Sequence, residues 1–155
     1  MMVNTHMNHG MLTATRDVAV DQQTAFDAWS LLEHRRKWFA GPGWTEIERA
    51  QDFRVGGSEV AHGAFPDGIE TIYQARYHRI DNGHRLIYDF DMTVAGQPFS
   101  VSLASAEFTP GANGTVITYI EQGIFFAPEY DAESRAKGTE GLMDQFALYV
   151  SRAFT

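Results

Sequence analysis

Glu121 and His62 are the two side chains through which this chain could move a proton. Each sits in a stretch of alternating polarity, so each can face a core or water. Glu121 shares parity with Ile117 and Tyr119 in "GTVITYIEQGIF". If that face points inward, Glu121 is an enclosed carboxylate able to accept a proton. If Val116, Ile120 and Ile124 point inward instead, it is a surface charge, and the cost of burying an unpaired carboxylate weighs toward the surface. His62 alternates with Val60 and Ala64, and Val60 suggests an inward face, where an imidazole would add one polar contact to an apolar cavity. His78 and His84 lie on or beside strands as ordinary edge histidines. Asp89 and Asp91 oppose an apolar face and should be solvated.

Other chemistry lacks its pattern. Ser100, Ser102 and Ser105 have no Gly-x-Ser-x-Gly elbow and read as a polar sheet face. No His-Glu-x-x-His pattern occurs, and His6 and His9 near the N-terminus have no evident partner, so no metal is expected. "GPG" at Gly41–Gly43 follows a helix instead of preceding one and cannot present free amides to a phosphate. Gly56-Gly57 is a hairpin turn. No catalytic residue and no cofactor are assigned. The aromatic side chains are the stronger candidates for a ligand wall: Tyr73 and Tyr77 share parity, as do Tyr88 and Phe90, with Trp38, Phe39 and Trp44 expected at the mouth. Leu142 and Phe146, on an apolar stripe near the C-terminus, complete the candidate ligand-binding set.

The elements that must position these residues can be read from periodicity. Leu12–Val20 is a strand, and Asp21 can cap the helix that follows, in which Phe26, Trp29 and Leu32 recur at helical spacing. A second short helix, "LEHRRKWF", is broken by "AGPGW"; its "HRRK" cluster reads as a solvated face. Strands follow in "TEIERAQDF", "SEVAHGAF", "IETIYQARYHRI", "HRLIYDFDMTV", "PFSVSLASAEF" and "TVITYIEQGIF". Asn82-Gly83 is expected to supply the positive φ angles of a tight hairpin. Leu86, Tyr88, Phe90 and Met92 alternate with Arg85, Asp89 and Asp91, a period of two. A helix spans about Asp131 to Ala153, with Leu142, Met143, Phe146 and Val150 on one face and Asp144, Gln145 and Arg152 opposite. Gly138 and Gly141 weaken it unless something packs closely there or the helix starts near Thr139. About seven strands joined by short turns imply an antiparallel meander, and its concave face needs this last helix as cover.

With 155 residues, the chain suits one domain able to bury about 68–70% of its unfolded surface. Residues 1–11 read as a loose arm and residues 12–155 as the domain. The absence of cysteine excludes disulfides and thiolate chemistry and fits a cytoplasmic location. A net charge of −8 disfavours nucleic acid. No apolar run approaches the ~20 residues of a membrane span. A homodimer through an exposed edge strand is left open.

Four stretches, in order, carry a resemblance: "VDQQTAFDAWSLLEHRRKWFAGPGW", "DFRVGGSEV", "DGIETIYQARYHRIDNGHRLIYDF" and "GTVITYIEQGIF", followed by the late "LMDQFALYV". Together they resemble the activator of the 90-kDa heat-shock protein ATPase homologue family of the START-like (SRPBCC) superfamily. The resemblance implies an α+β helix-grip fold: a curved antiparallel sheet around a long C-terminal helix, with two short helices after strand one. It also implies a cavity for a small apolar molecule between sheet and helix. Polyketide-cyclase or dehydratase chemistry in that cavity, or a co-chaperone-like role with a chaperone partner, are the alternatives it carries. The chain departs from the family pattern at Thr139, which follows Gly138 where a tryptophan is usual, so the cavity is expected to be wider there. It departs again in "AWSLLEH", which lacks the family's proline, and at Gln22 or Gln23, where the opening proline is replaced.

Overall fold

The computed structural model describes residues 7–154. The elements run β1 (Asn8–Val18), α1 (Gln22–Ser30), α2 (Leu32–Trp38), β2 (Thr45–Gln51), β3 (Ser58–Ala64), β4 (Glu70–Asp81), β5 (Arg85–Val94), β6 (Gln97–Gly111), β7 (Gly114–Phe125) and α3 (Ala132–Ala153). The strands form one antiparallel sheet in the order β1-β7-β6-β5-β4-β3-β2. It is a meander from β2 to β7, with β1 added beyond β7. Because β1 and β2 are opposite edges, the α1–α2 connection crosses the width of the sheet.

Alternation decides which residues face inward. Tyr73, Ala75 and Tyr77 of β4, Leu86, Tyr88 and Phe90 of β5, and Ile117, Tyr119 and Glu121 of β7 are all buried. β6 contributes Ser100, Ser102, Ala104 and Ala106 to the same surface, also buried. Ser100 and Ser102 are therefore inward-facing small residues and not an exposed polar face. Small side chains in the middle of a curved sheet leave room for a helix to lie against it.

α3 fills most of that room. Asp131 caps it, accepting from Ser134 N at 2.9 Å, and Thr139, Met143, Phe146 and Val150 form its buried stripe. Nothing lies within 4 Å of where a side chain at Gly138 or Gly141 would begin, so neither glycine marks a close approach, and the helix starts at Ala132 despite them. Asp21 caps α1 as its sequence suggests, accepting from Thr24 N at 2.8 Å.

Two boundaries differ from the expectation. β1 begins at Asn8, not Leu12, because Asn8–Met11 pair with Gln122–Phe125 of β7. Asn8 Nδ2 also donates to the carbonyls of Pro128 and Tyr130, at 2.8 and 2.9 Å. Residues 1–6 of the expected arm, His6 included, lie outside the described residues. The turn between β4 and β5 is a three-residue loop in which only Gly83 has a positive φ. The two-residue hairpin with both central residues at positive φ is Ala95-Gly96, at 52° and 77°. Among the described residues, no helix is long and apolar enough to cross a membrane.

Candidate functional site

α2 carries the first wall of the site into the space between sheet and α3. Trp38 is buried, and its Nε1 donates to Ala28 O at 2.9 Å. Its ring packs edge-on against Phe146 and Phe39, with centroids 5.0 and 5.6 Å away. Gln145 on α3 then clamps the segment after the helix: its Nε2 donates to Trp38 O and Ala40 O, both at 2.8 Å. That amide was expected on the solvent side of α3. Trp44 closes the next side, its Nε1 donating to Thr71 Oγ1 at 2.9 Å while its indole covers Gly63.

These groups enclose a cavity of about 180 Å³. Trp29, Trp38, Tyr73, Tyr88, Phe90 and Tyr119 supply its aromatic surface. Ala61, Thr71 and Met92 border it from the sheet, and Thr139, Leu142 and Met143 from α3. Phe39, Trp44, Phe65 and Leu142 are partly exposed and form the rim. The chain's three tryptophans all line this one space. Its volume is of the order of the ~150 Å³ apolar cavity that accepts benzene, so it suits one ring with a short substituent.

Two ion pairs flank it. Arg35, read in the sequence as part of a solvated face, is buried; its Nε donates to Glu59 Oε2 at 2.7 Å and its Nη1 to Trp29 O at 2.8 Å. The guanidinium stacks on Phe39 with 4.0 Å to the ring centroid. Tyr77 OH donates to the other Glu59 oxygen at 3.2 Å. On the opposite side Arg135 of α3 grips Glu121 with two bonds of 2.8 Å, and Tyr119 OH donates to Glu121 Oε1 at 2.6 Å. Burial disfavours both arginine cations, but the facing carboxylates more than offset it, so both are held more firmly protonated than free arginine.

Glu121 is thus inward, and only 1% exposed. The sequence argument weighed toward the surface because it counted the carboxylate as unpaired; Arg135, fourteen positions later on another element, removes that objection. Glu121 lies behind Arg135 and does not line the cavity. His62 is a correction: it faces outward, beside Glu70 at 3.0 Å, because Glu59, Ala61 and Gly63 are the inward residues of β3. Phe146 is a second correction. It is fully buried but lies behind the cavity, against Trp29 and Trp38. Trp38, Phe39, Trp44, Tyr73, Tyr88, Phe90 and Leu142 are brought together on the cavity. Missed by the sequence reading were Arg35, Glu59 and Arg135. A buried charge carries no local signal until its partner is known.

Among the described residues, no group of three or more His, Asp or Glu could hold a metal ion. Two residues of the lining, Trp29 and Thr139, each carry a buried polar atom without a hydrogen-bond partner, Nε1 and Oγ1. An orphaned buried donor costs about 1–3 kcal/mol.

Burial is also the main force on the phenols. It pushes Tyr73 and Tyr119 well above the usual tyrosine range and Tyr88 up to about 12. Neutral phenols therefore donate here and do not act as bases. Because the unfolded chain releases these protons near pH 10 and the folded chain later, their contribution to stability is whole below about pH 10. It is lost as the pH rises toward and past 12. Absorbance at 295 nm is expected to show the phenolates of Tyr73, Tyr88 and Tyr119 only as the fold is lost; their titration near pH 10 with native circular dichroism would refute the burial argument.

The comparisons with known proteins agree with this architecture. The family model described as activator of Hsp90 ATPase homolog 1-like protein matches residues 19–151. An uncharacterized protein from Rhizobium leguminosarum is 31% identical, with a TM-score of 0.89 over 97% of this chain and 99% of that one. Protein Mll3558 from Rhizobium loti is 33% identical, with a TM-score of 0.82 over 93% and 99% of the two chains. The AHSA1-like protein from Aeromonas hydrophila, 21% identical, shares the fold at a TM-score of 0.72 over 92% and 93%. A comparison with curated proteins returns no match. With a helix gripped in a curved seven-stranded sheet and a family match over nearly its whole length, the chain belongs to the activator of Hsp90 ATPase homolog 1-like family of the START-like superfamily.

Proposed function

We propose that the chain binds a small, largely apolar aromatic molecule in the cavity between sheet and α3 without turning it over. The observation that supports this is the lining itself: a ring-sized space walled by three tryptophans, three tyrosines and three phenylalanines. Burying a ring's apolar surface there contributes about 25 cal/mol per Å², enough for retention without any charged contact. Cyclase or dehydratase chemistry needs an available acid–base group. The two buried carboxylates nearest the cavity are each committed to an arginine, which favours binding over turnover.

The test is calorimetric titration with cumene and acetophenone, alongside native mass spectrometry of freshly purified protein. Saturable binding of at least one probe is expected. Ala61→Phe, which places a ring inside the cavity opposite Tyr73, should weaken it at least ~10-fold at unchanged fold. No binding of either probe, with only the bare chain mass in the spectrometer, would remove this reading.

A further inference from the structure

The outer face of the sheet, away from α3, gathers exposed apolar side chains around one groove. Residues directly opposite one another on neighbouring strands share a face, so the register divides it into rows. One row is His9, Ile124, Val101 and Asp91, crossing β1, β7, β6 and β5. The next is Met11, Gln122, Leu103 and Asp89 on the same strands, and the third is Thr13, Ile120, Ser105 and Ile87. Met11, Val101 and Leu103 are 68%, 42% and 45% exposed. A groove of about 580 Å³ runs between the first two rows, floored by Gly10 and Gly123, which lie opposite each other.

The ends of the first row differ in charge. His9 stands at one end and Asp91 at the other, three strand spacings or ~14 Å apart. Burial and the neighbouring Asp89 both push the Asp91 carboxyl upward, so a hydrogen-bond donor brought to it is favourable. Asp89 is already held by His78 Nε2 and lies opposite Arg76 in the ladder. A strongly cationic partner spreading past this end would run into Arg76. A second copy of the chain, turned about, avoids that conflict. The row read backwards offers Asp91 where His9 stands and Val101 where Ile124 stands.

We propose that this face joins two copies of the chain in a weak homodimer whose two-fold axis runs along the strands between β7 and β6. The axis sets Ile124 against the partner's Val101 and His9 against the partner's Asp91, and each contact occurs twice. An imidazole N–H donates to a carboxylate there. In the next row Leu103 meets the partner's Gln122, and each flexible Met11 reaches the Asp89 end of the other groove. Sheets packed face to face keep their strands within about 30° of each other, as such an axis requires. Three rows on four strands cover about 400 Å² a side. The total of about 800 Å² falls among weak, reversible complexes, below ~1,200 Å². The net charge of −8 also opposes tight self-association.

Sedimentation velocity on the full chain, from about 5 µM to about 1 mM in ~0.15 M salt, is expected to show a monomer passing reversibly to a dimer. Val101→Glu, at an exposed position, should weaken the dimer at least ~10-fold by placing a carboxylate in its apolar centre, with thermal unfolding of the dilute protein unchanged. His9→Asp and Asp91→Lys should each weaken it about 3–10-fold. The double variant His9→Asp/Asp91→Lys exchanges the two charges and should restore it. Within one chain the two positions are too far apart to bond, so this rescue reports a contact across the axis. A chain that stays monomeric over the whole concentration range overturns the proposal and leaves the face to another protein. A dimer indifferent to Val101→Glu, joined elsewhere such as at the open β2 edge, overturns it too, as does failure of the double variant to rescue.

Discussion

Glu59→Gln is expected to destabilise the fold by about 3–5 kcal/mol, the usual cost of leaving a buried charge without its partner. Arg35 is 3% exposed and Glu59 2%, so no water can replace the lost carboxylate at low cost. The same change disturbs a connected set, since Tyr77 OH bonds Glu59 and Gln51 Nε2 bonds both Tyr77 OH and Ser30 O. Arg35 also holds Trp29 O, and its ring neighbour Phe39 belongs to the rim. Loss of the pair should therefore loosen the cavity wall as well as the core. The double variant Arg35→Met/Glu59→Met should recover most of the loss, because an apolar pair of similar volume avoids the desolvation penalty. Urea unfolding followed by tryptophan emission measures both. A Glu59→Gln unfolding free energy within ~0.5 kcal/mol of the parent's would mean that the pair is not enclosed.

Gly63→Val should expel Trp44 from the rim. A Cβ at position 63 would lie 2.2 Å from two atoms of the Trp44 indole and 2.5 Å from the Thr45 carbonyl oxygen. The first contact can be relieved only by moving the indole, which breaks its 2.9 Å bond to Thr71. The second requires β2 to shift against β3. Overpacking of this kind costs about 1–3 kcal/mol. Tryptophan emission should move to longer wavelength as Trp44 enters water, and bound probes should dissociate faster. An unshifted emission maximum with an unchanged melting temperature would show that the indole does not need the glycine.

Much of the fold was legible because its signals are local. The alternation of Leu86, Tyr88 and Phe90 states the orientation of β5 outright, and Asp21 announces α1 through its cap. The site was legible only where aromatic residues repeat. On β3, Val60 suggested the inward face because it is the branched apolar residue, yet the inward set is Glu59, Ala61 and Gly63. A charge, a methyl and a bare backbone become core residues there because Arg35 neutralises the first and Trp44 occupies the space left by the last. Both partners come from other elements, so inspection of β3 alone cannot reveal them. Glu121 and Arg135 repeat the lesson, as does Phe146, whose helical phase was correct but whose depth depends on Trp29 and Trp38 lying between it and the cavity.

The position of β1 has a kinetic corollary. Among the described residues, β1 finds its one ladder neighbour in β7, with Asn8 opposite Phe125 and Val18 opposite Thr115. The ribosome must release the chain through β7 before that edge can zip. Contacts so distant along the chain place folding toward the slow end for domains of this size, in milliseconds to seconds. Until then the edge of β7 stays open to other partners, including other nascent chains.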